Sequence, residues 1–245
     1  MRRESFVLTA TSNTLSRVNS FHVDILAPLV KWKILSLRKL RVMSGYQGKI
    51  NSFERIVRRM ESNGVISSFI EPMSRSKYIY LTRIGSRLIG MENYTDQSKE
   101  TLFHDSKVTE VCNEFMKLDC FNSVKLEHEI SSLNSILPDA ILSGSKDDKK
   151  FRIALELEIT QKSKARIIEK ITDYRNSIEF DYALYLFSSD AIYKNYKRCI
   201  EENIGKNIWN KVIFFSLPSL LDGECRLENA TGYFDNQEIK LHDVF

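Results

Sequence analysis

The segment Ile153-Ala154-Leu155-Glu156-Leu157-Glu158-Ile159-Thr160 constrains this chain more than any other. Successive side chains of a β-strand point to opposite faces, so Leu155, Leu157 and Ile159 share one face and Glu156, Glu158 and Thr160 the other. Two carboxylates about 7 Å apart on one face, flanked by apolar residues, are costly to bury without a counter-charge. A divalent ion supplies that charge, because hard cations prefer carboxylate oxygen. Asp139, at the start of a neighbouring strand, completes such a site. The other solution is an edge strand whose Glu pair faces water or pairs with Lys.

The surrounding pattern supplies a sheet for this strand. Strand-like runs at Ser123–Ile130, Asp139–Leu142, Phe151–Thr160, Tyr182–Phe187 and Val212–Ser216 alternate with helical runs at Thr101–Leu118, 163–178 and 190–204. Strands between helices indicate an α/β sheet with helices on both faces. The chain's 245 residues, 42% hydrophobic, suit one large domain or two modest ones. No run of about 18 apolar residues occurs, so no membrane partner is expected. Cys112, Cys120, Cys199 and Cys225 lack C-x-x-C spacing, which argues against a disulfide framework or a thiolate zinc site. A cytoplasmic protein with reduced thiols is the expectation.

Charge divides the chain. Residues 1–95 hold sixteen Lys and Arg against six Asp and Glu (net +10), and of the chain's 36 and 32 the remainder keeps 20 and 26 (net −6). A basic unit joined to an acidic one suggests a polyanion-binding module attached to something else. The expected division is an arm over 1–20, a basic domain over 21–92, a linker over 93–101 and a larger domain over 102–245.

Within the basic domain, Val23 to Leu35 reads as a helix and Ser36 caps a second, Leu37 to Met43. Asn51 is the expected N-cap of a third, with Glu54 three residues on. Phe53, Ile56, Val57 and Met60 form its buried stripe, and Asn63-Gly64 ends it. Two β segments follow, Val65–Ile70 and Lys77–Thr82, and then a helix opening at Thr82. This order resembles a winged helix-turn-helix, which implies binding to double-stranded DNA. A helix carries cations and small polar groups into the major groove, and a wing reaches a neighbouring phosphate or the minor groove. The candidate contacts are Ser52, Arg55, Arg58, Arg59, Arg75 and Lys77. A winged helix used for protein contact, or a basic surface with no ligand, is the alternative.

Pro138-Asp139 followed by Glu156-x-Glu158 and a helix resembles the PD-(D/E)xK nuclease superfamily. The resemblance implies a restriction-endonuclease-like domain with a mixed central sheet, in a chain of α/β (α+β) class. It implies Asp139 and Glu156 as ligands of Mg²⁺ (or Mn²⁺), with the Leu157 carbonyl as a further ligand. The family Lys that orients the water is replaced here by Glu158; Lys162, Lys164 or Lys170 stands in for it. A Glu on the preceding helix touches the metal site in related nucleases, which makes Glu110 a minor candidate. With the winged helix, "HDSKVTEV", "PDAIL" and "LELEITQKSKARIIEKITDY", the chain from about Phe21 to Phe187 is similar to the replication-relaxation family and MOBC-type plasmid relaxases. That implies nicking at a plasmid or replicon origin during mobilisation or replication, alone, as a homodimer or with an accessory protein.

Two further residues have plainer expectations. Asp105, after His104 at the expected helix start, reads as a cap. Tyr174 falls on the stripe Ile167, Ile171, Tyr174, Ile178 and reads as core rather than as a covalent nucleophile. A non-catalytic replication or transcription regulator with a degenerate nuclease fold, or a module positioning a separate nuclease, are the other classes left open.

Overall fold

The computed structural model describes residues 20–91, 98–130, 136–221, 225–235 and 237–245. The expected arm over 1–20 lies, except for Ser20, outside the described residues, and so does most of the expected linker. Internal contacts divide the chain into two units, Met1–Phe69 with Lys77–Gln97, and Ile70–Ser76 with Ser98–Phe245.

The first unit runs α1 (Ser20–Trp32), β1 (Ile34–Ser36), α2 (Leu37–Met43), α3 (Ile50–Ser62), β2 (Ile66–Ile70), β3 (Lys77–Leu81) and α4 (Arg83–Leu88). Its sheet has the order β1-β3-β2, with Ile34 opposite Tyr80. Three helices followed by a hairpin that a short strand completes is winged-helix architecture. Ile25, Leu26, Leu29, Leu40, Phe53, Val57 and Ile79 form its core. The first helix stops earlier than its periodicity suggests: Lys33 adopts a left-handed φ of 61° and the chain turns into β1. Asn51 is not the cap of α3, because the helix begins at Ile50 after Lys49, with no side-chain cap bond. Ser36 does cap α2, accepting the Lys39 N–H at 3.3 Å. Gly64 takes φ 68° just past α3, the backbone a helix stop needs. Gly85 lets α4 lie against the hairpin, since a Cβ there would sit 2.0 Å from the Val65 carbonyl oxygen.

The second unit runs α5 (Lys99–Phe115), β4 (Phe121–Leu126), β5 (Ala140–Lys146), β6 (Lys149–Glu158), α6 (Lys164–Asn176), β7 (Tyr182–Phe187), α7 (Asp190–Asn203), β8 (Val212–Ser216), β9 (Thr231–Phe234), β10 (Gln237–Lys240) and α8 (Leu241–Val244). One mixed sheet of order β10-β9-β8-β7-β6-β5-β4 holds them. β4, β5 and β6 form an antiparallel meander; β7 and β8 then run parallel to β6. A parallel pair needs a crossover, and α6 is the one between β6 and β7. The succession α5-β4-β5-β6-α6-β7 gives the mixed α/β sheet, with helices between its strands, that the sequence led one to expect.

Local chemistry explains the strand limits. Asp147 and Asp148, at φ 51° and 62°, form the two-residue turn between β5 and β6, where Asp tolerates the left-handed region. β4 ends at Leu126 rather than Ile130, because the Glu129 carboxylate accepts the Leu126 N–H at 2.9 Å and folds the chain into a 3-10 turn. The hairpin β9–β10 lies beyond every strand expected from the sequence. Tyr174, Tyr185, Phe187, Tyr196, Trp209 and Phe214 pack on the sheet face that α6 and α7 cover.

Candidate functional site

The site is built at the end of β6. The register pairs Ala140 with Leu155 and Ile141 with Ala154, so the next step outward sets Asp139 beside Glu156. Asp139 Oδ2 accepts the Leu157 N–H at 2.7 Å, which fixes the carboxylate against the strand. β6 lies between β5 and β7, so the edge-strand alternative for the Glu pair is excluded. Glu156 and Glu158 are 2% and 5% exposed. They share a face with Tyr185 and Phe187, their register partners on β7.

Both carboxylates meet donors from the covering helices. Lys170 Nζ of α6 lies 2.6 Å from Glu156 Oε2, and the Tyr174 hydroxyl, one turn on, donates to Oε1. Glu158 is hydrogen-bonded by Tyr196 of α7, while its Oε2 is buried with no partner among the described residues. Burial pushes Glu156 up to about 8, with the Asp139 charge adding to the rise and Lys170 and Tyr174 opposing it. Burial likewise raises Glu158. Burial alone would lower Lys170, but the facing carboxylates hold it above the ordinary lysine value. The Tyr174 phenol is held far above its ordinary value by burial and by Glu156, so it stays protonated.

His104 enters from α5. Its Nε2 lies 3.2 Å from the Leu157 carbonyl oxygen and 3.5 Å from Asp139 Oδ2, and its Nδ1 faces Asp105 Oδ1 at 3.9 Å. Burial works against a charged ring, yet Asp105, Asp139 and the Leu157 carbonyl raise it to about 10. A cavity of about 500 Å³ opens over this cluster, lined by His104, Asp139, Glu156, Glu158, Lys162 and Lys170 among others.

The structure therefore gathers Asp139, Glu156, Leu157, Glu158 and Lys170 around one cavity. Lys162 also lines it and acts on Glu158 through its charge. Lys164 is exposed and borders a separate small cleft with Arg198 and Glu202. Glu110 pairs with Lys107 at 3.4 Å and does not line the cavity. Asp105 is no cap, because α5 begins at Lys99 and Ser98 caps it by accepting the Thr101 N–H. Tyr174 is core, fully buried, and a donor to the site as well. His104 and Tyr196 were missed as site residues: a contact spanning 53 residues leaves no local pattern, and an aromatic on an amphipathic helix reads as packing. Lys170 and Tyr174 did leave a signal, since spacing of i, i+4 puts both on one face of α6.

In the first unit, Arg55, Arg58 and Arg59 are exposed on α3 and Ser52 is half-buried. Arg58 approaches Glu54 at 4.0 Å. Arg75, in the hairpin turn that groups with the second unit, is exposed. Lys77 is already engaged, at 2.7 Å from Glu61 Oε2. Burial opposes ionisation of Glu61, but Lys77 and Ser68 hold its carboxyl below the ordinary value.

As for a divalent ion, no three His, Cys, Asp or Glu side chains among the described residues form a ready-made cage. The wall instead offers the carboxylates of Asp139 and Glu156, the Leu157 carbonyl and the unpartnered Glu158 Oε2. All are hard oxygen donors. They suit Mg²⁺ or Mn²⁺, which takes one or two carboxylates and leaves positions to water and substrate phosphate. Among the described residues no helix is long and apolar enough to cross a membrane.

No family model and no curated protein matches the chain. Among solved structures, a MarR family transcriptional regulator from Silicibacter pomeroyi DSS is 19% identical over 42% of this chain and 72% of its own, with a TM-score of 0.26. Restriction endonuclease FokI bound to DNA is 16% identical over 86% of this chain and 45% of its own, with a TM-score of 0.30. A second FokI structure gives 16%, 82%, 43% and 0.31. This chain thus spans less than half the length of FokI.

Proposed function

We propose that the chain is a DNA-binding, metal-dependent endonuclease that nicks DNA at a plasmid or replicon origin, in the manner implied by its resemblance to the replication-relaxation and MOBC-type proteins. The observation that carries this reading is the meeting of Asp139, Glu156 and Lys170 beneath an open cavity on a restriction-endonuclease-like sheet.

Asp139, Glu156 and the Leu157 carbonyl are the residues that hold Mg²⁺ or Mn²⁺. Such an ion, when bound, polarises the phosphodiester and lowers the pKa of a nearby water. Asp139 is locked against Leu157, so it needs no reorganisation when substrate arrives. Lys170 orients the Glu156 carboxylate and offers positive charge to the scissile phosphate. Glu158 Oε2 accepts the proton of the attacking water, a role that its raised affinity for protons and its lack of a partner both suit. Lys162 at the cavity wall neutralises phosphate. Arg55, Arg58, Arg59 and Arg75 supply duplex affinity, and with it the salt dependence.

One observation favours a second reading. Both oxygens of Glu156 already have protein donors, and His104 stands against Asp139, as a filled site would have it. That reading is a non-catalytic replication or transcription regulator. The test is a nicking and gel-shift assay on supercoiled plasmid carrying the host replicon's noncoding DNA, with Mg²⁺ or Mn²⁺. The nuclease reading expects nicking that Asp139→Ala and Glu156→Ala abolish while duplex binding persists. Binding without nicking by the wild-type chain supports the regulator; nicking retained in both variants removes the site.

A further inference from the structure

Two residues of the cavity wall each hold a buried polar atom that has no partner among the described residues: the Tyr185 hydroxyl and Glu158 Oε2. Tyr185 is 1% exposed and Glu158 5%, so bulk solvent compensates neither. Their neighbours are served, Tyr174 by donating to Glu156 and Tyr196 by bonding the Glu158 carboxylate. A buried donor or acceptor left without a bond is costly, and native folds leave few of them. One of each kind on the same wall calls for a guest.

The two atoms are chemically complementary. Burial pushes the Tyr185 phenol far above its ordinary value, so the hydroxyl keeps its proton and stays a donor. The carboxylate oxygen accepts. They do not bond each other. Tyr185 of β7 is the register partner of Glu156, which sets Glu158 two residues further along the adjoining strand. With strands about 4.8 Å apart and two residues spanning about 6.7 Å, the two positions lie about 8 Å apart on one face. A small molecule that both accepts and donates satisfies the pair, and water is such a molecule.

We infer that the Tyr185 hydroxyl and Glu158 Oε2 together seat one water, and that this is the water which attacks the phosphodiester. The Tyr185 O–H takes one lone pair of the water and Glu158 takes one of its protons, so the second lone pair is left facing the cavity. In the reaction that lone pair forms the new P–O bond and Glu158 keeps the proton. One ester P–O bond breaks, and its oxygen leaves and is protonated from solvent. The inference rests on the nuclease reading above and names the group that aims its nucleophile.

The test uses the intact chain. A crystal structure of the wild-type protein should show an ordered water within hydrogen-bond reach of both atoms, so no variant has to fold for a first answer. Tyr185→Phe removes one oxygen and keeps the ring that packs on Tyr174, Phe187, Tyr196 and Phe214. That variant should lose the water and nick supercoiled plasmid on the order of a hundredfold more slowly, with the loss in kcat and KM unchanged. Glu158→Gln should keep the water and lose nicking, since an amide bonds water without taking its proton. A wild-type crystal without this water, or Tyr185→Phe nicking at the wild-type rate, overturns the inference. The two readings separate cleanly. Nicking that needs Asp139 but not the Tyr185 hydroxyl keeps the nuclease and discards this water; a water that Tyr185→Phe loses, in a chain that never nicks DNA, keeps the seat and discards the nuclease.

Discussion

Helix α3 and strand β6 handle charge in opposite ways. On α3 the cations Arg55, Arg58 and Arg59 stand in solvent, while Phe53, Val57 and Met60, with Ile56 beside them, hold the helix down. On β6 the charge is inside: Glu156 and Glu158 are buried in a central strand and depend on Lys170, Tyr174 and Tyr196. Exposed charge can be removed at little cost to the fold. Buried charge cannot, because its partners lose their compensation with it. The difference teaches where function and stability separate in this molecule: they are separable on the helix and fused on the strand.

The largest expected effect lies on the strand. Glu156→Ala strands the Tyr174 hydroxyl and the Lys170 ammonium, and should cost about 3 kcal/mol in urea unfolding. Glu158→Gln should cost under about 1 kcal/mol, because one of its oxygens has no bond to lose. Equal costs would erase the contrast between the two acids.

A pH titration of stability comes next. Glu156 carries a folded value of about 8 against an ordinary 4.5, so over that window the folded chain holds a proton that the unfolded chain releases. Stability therefore falls as pH rises through it, by up to about 1.4 kcal/mol per pH unit for one full proton. His104, raised from 6.5 to about 10, extends the same fall upward. Thermal unfolding of the metal-free chain between about pH 5 and about pH 9 checks this. Glu156→Gln should flatten the lower half and His104→Asn the upper.

The smallest effect belongs to α3. Replacing Arg55, Arg58 and Arg59 together with Ala should lower duplex affinity on the order of tenfold and reduce the salt slope. The unfolding free energy should stay within about 0.5 kcal/mol. A large loss of stability would show that this face is not merely solvated.

Much of this arrangement was legible in the sequence where a residue's surroundings are local. The apolar runs Tyr182–Phe187 and Val212–Ser216 are β7 and β8, because fully buried parallel strands need apolar residues at every position. Alternation along β6 put Glu156 and Glu158 on one face, and the strand's register with β5 brings Asp139 alongside. Other elements were hidden by competing signals. β1 continues the apolar spacing of α1, and only the left-handed turn at Lys33, a residue with no preference for it, separates the two. β9 and β10 are only four residues each, and β10 is largely exposed, too short and too little buried to leave a pattern. His104 was noted beside Asp105, yet its place at the site depends on how α5 lies against β6, a tertiary fact with no counterpart in spacing.

The Leu157 peptide is gripped from two sides, its N–H by Asp139 and its carbonyl by His104. Its contribution is made entirely by main-chain atoms, so side-chain scanning passes over it: Leu157→Val would register as a packing change and nothing more. An amide-to-ester replacement that deletes this one N–H would release the Asp139 carboxylate while leaving every side chain in the protein intact.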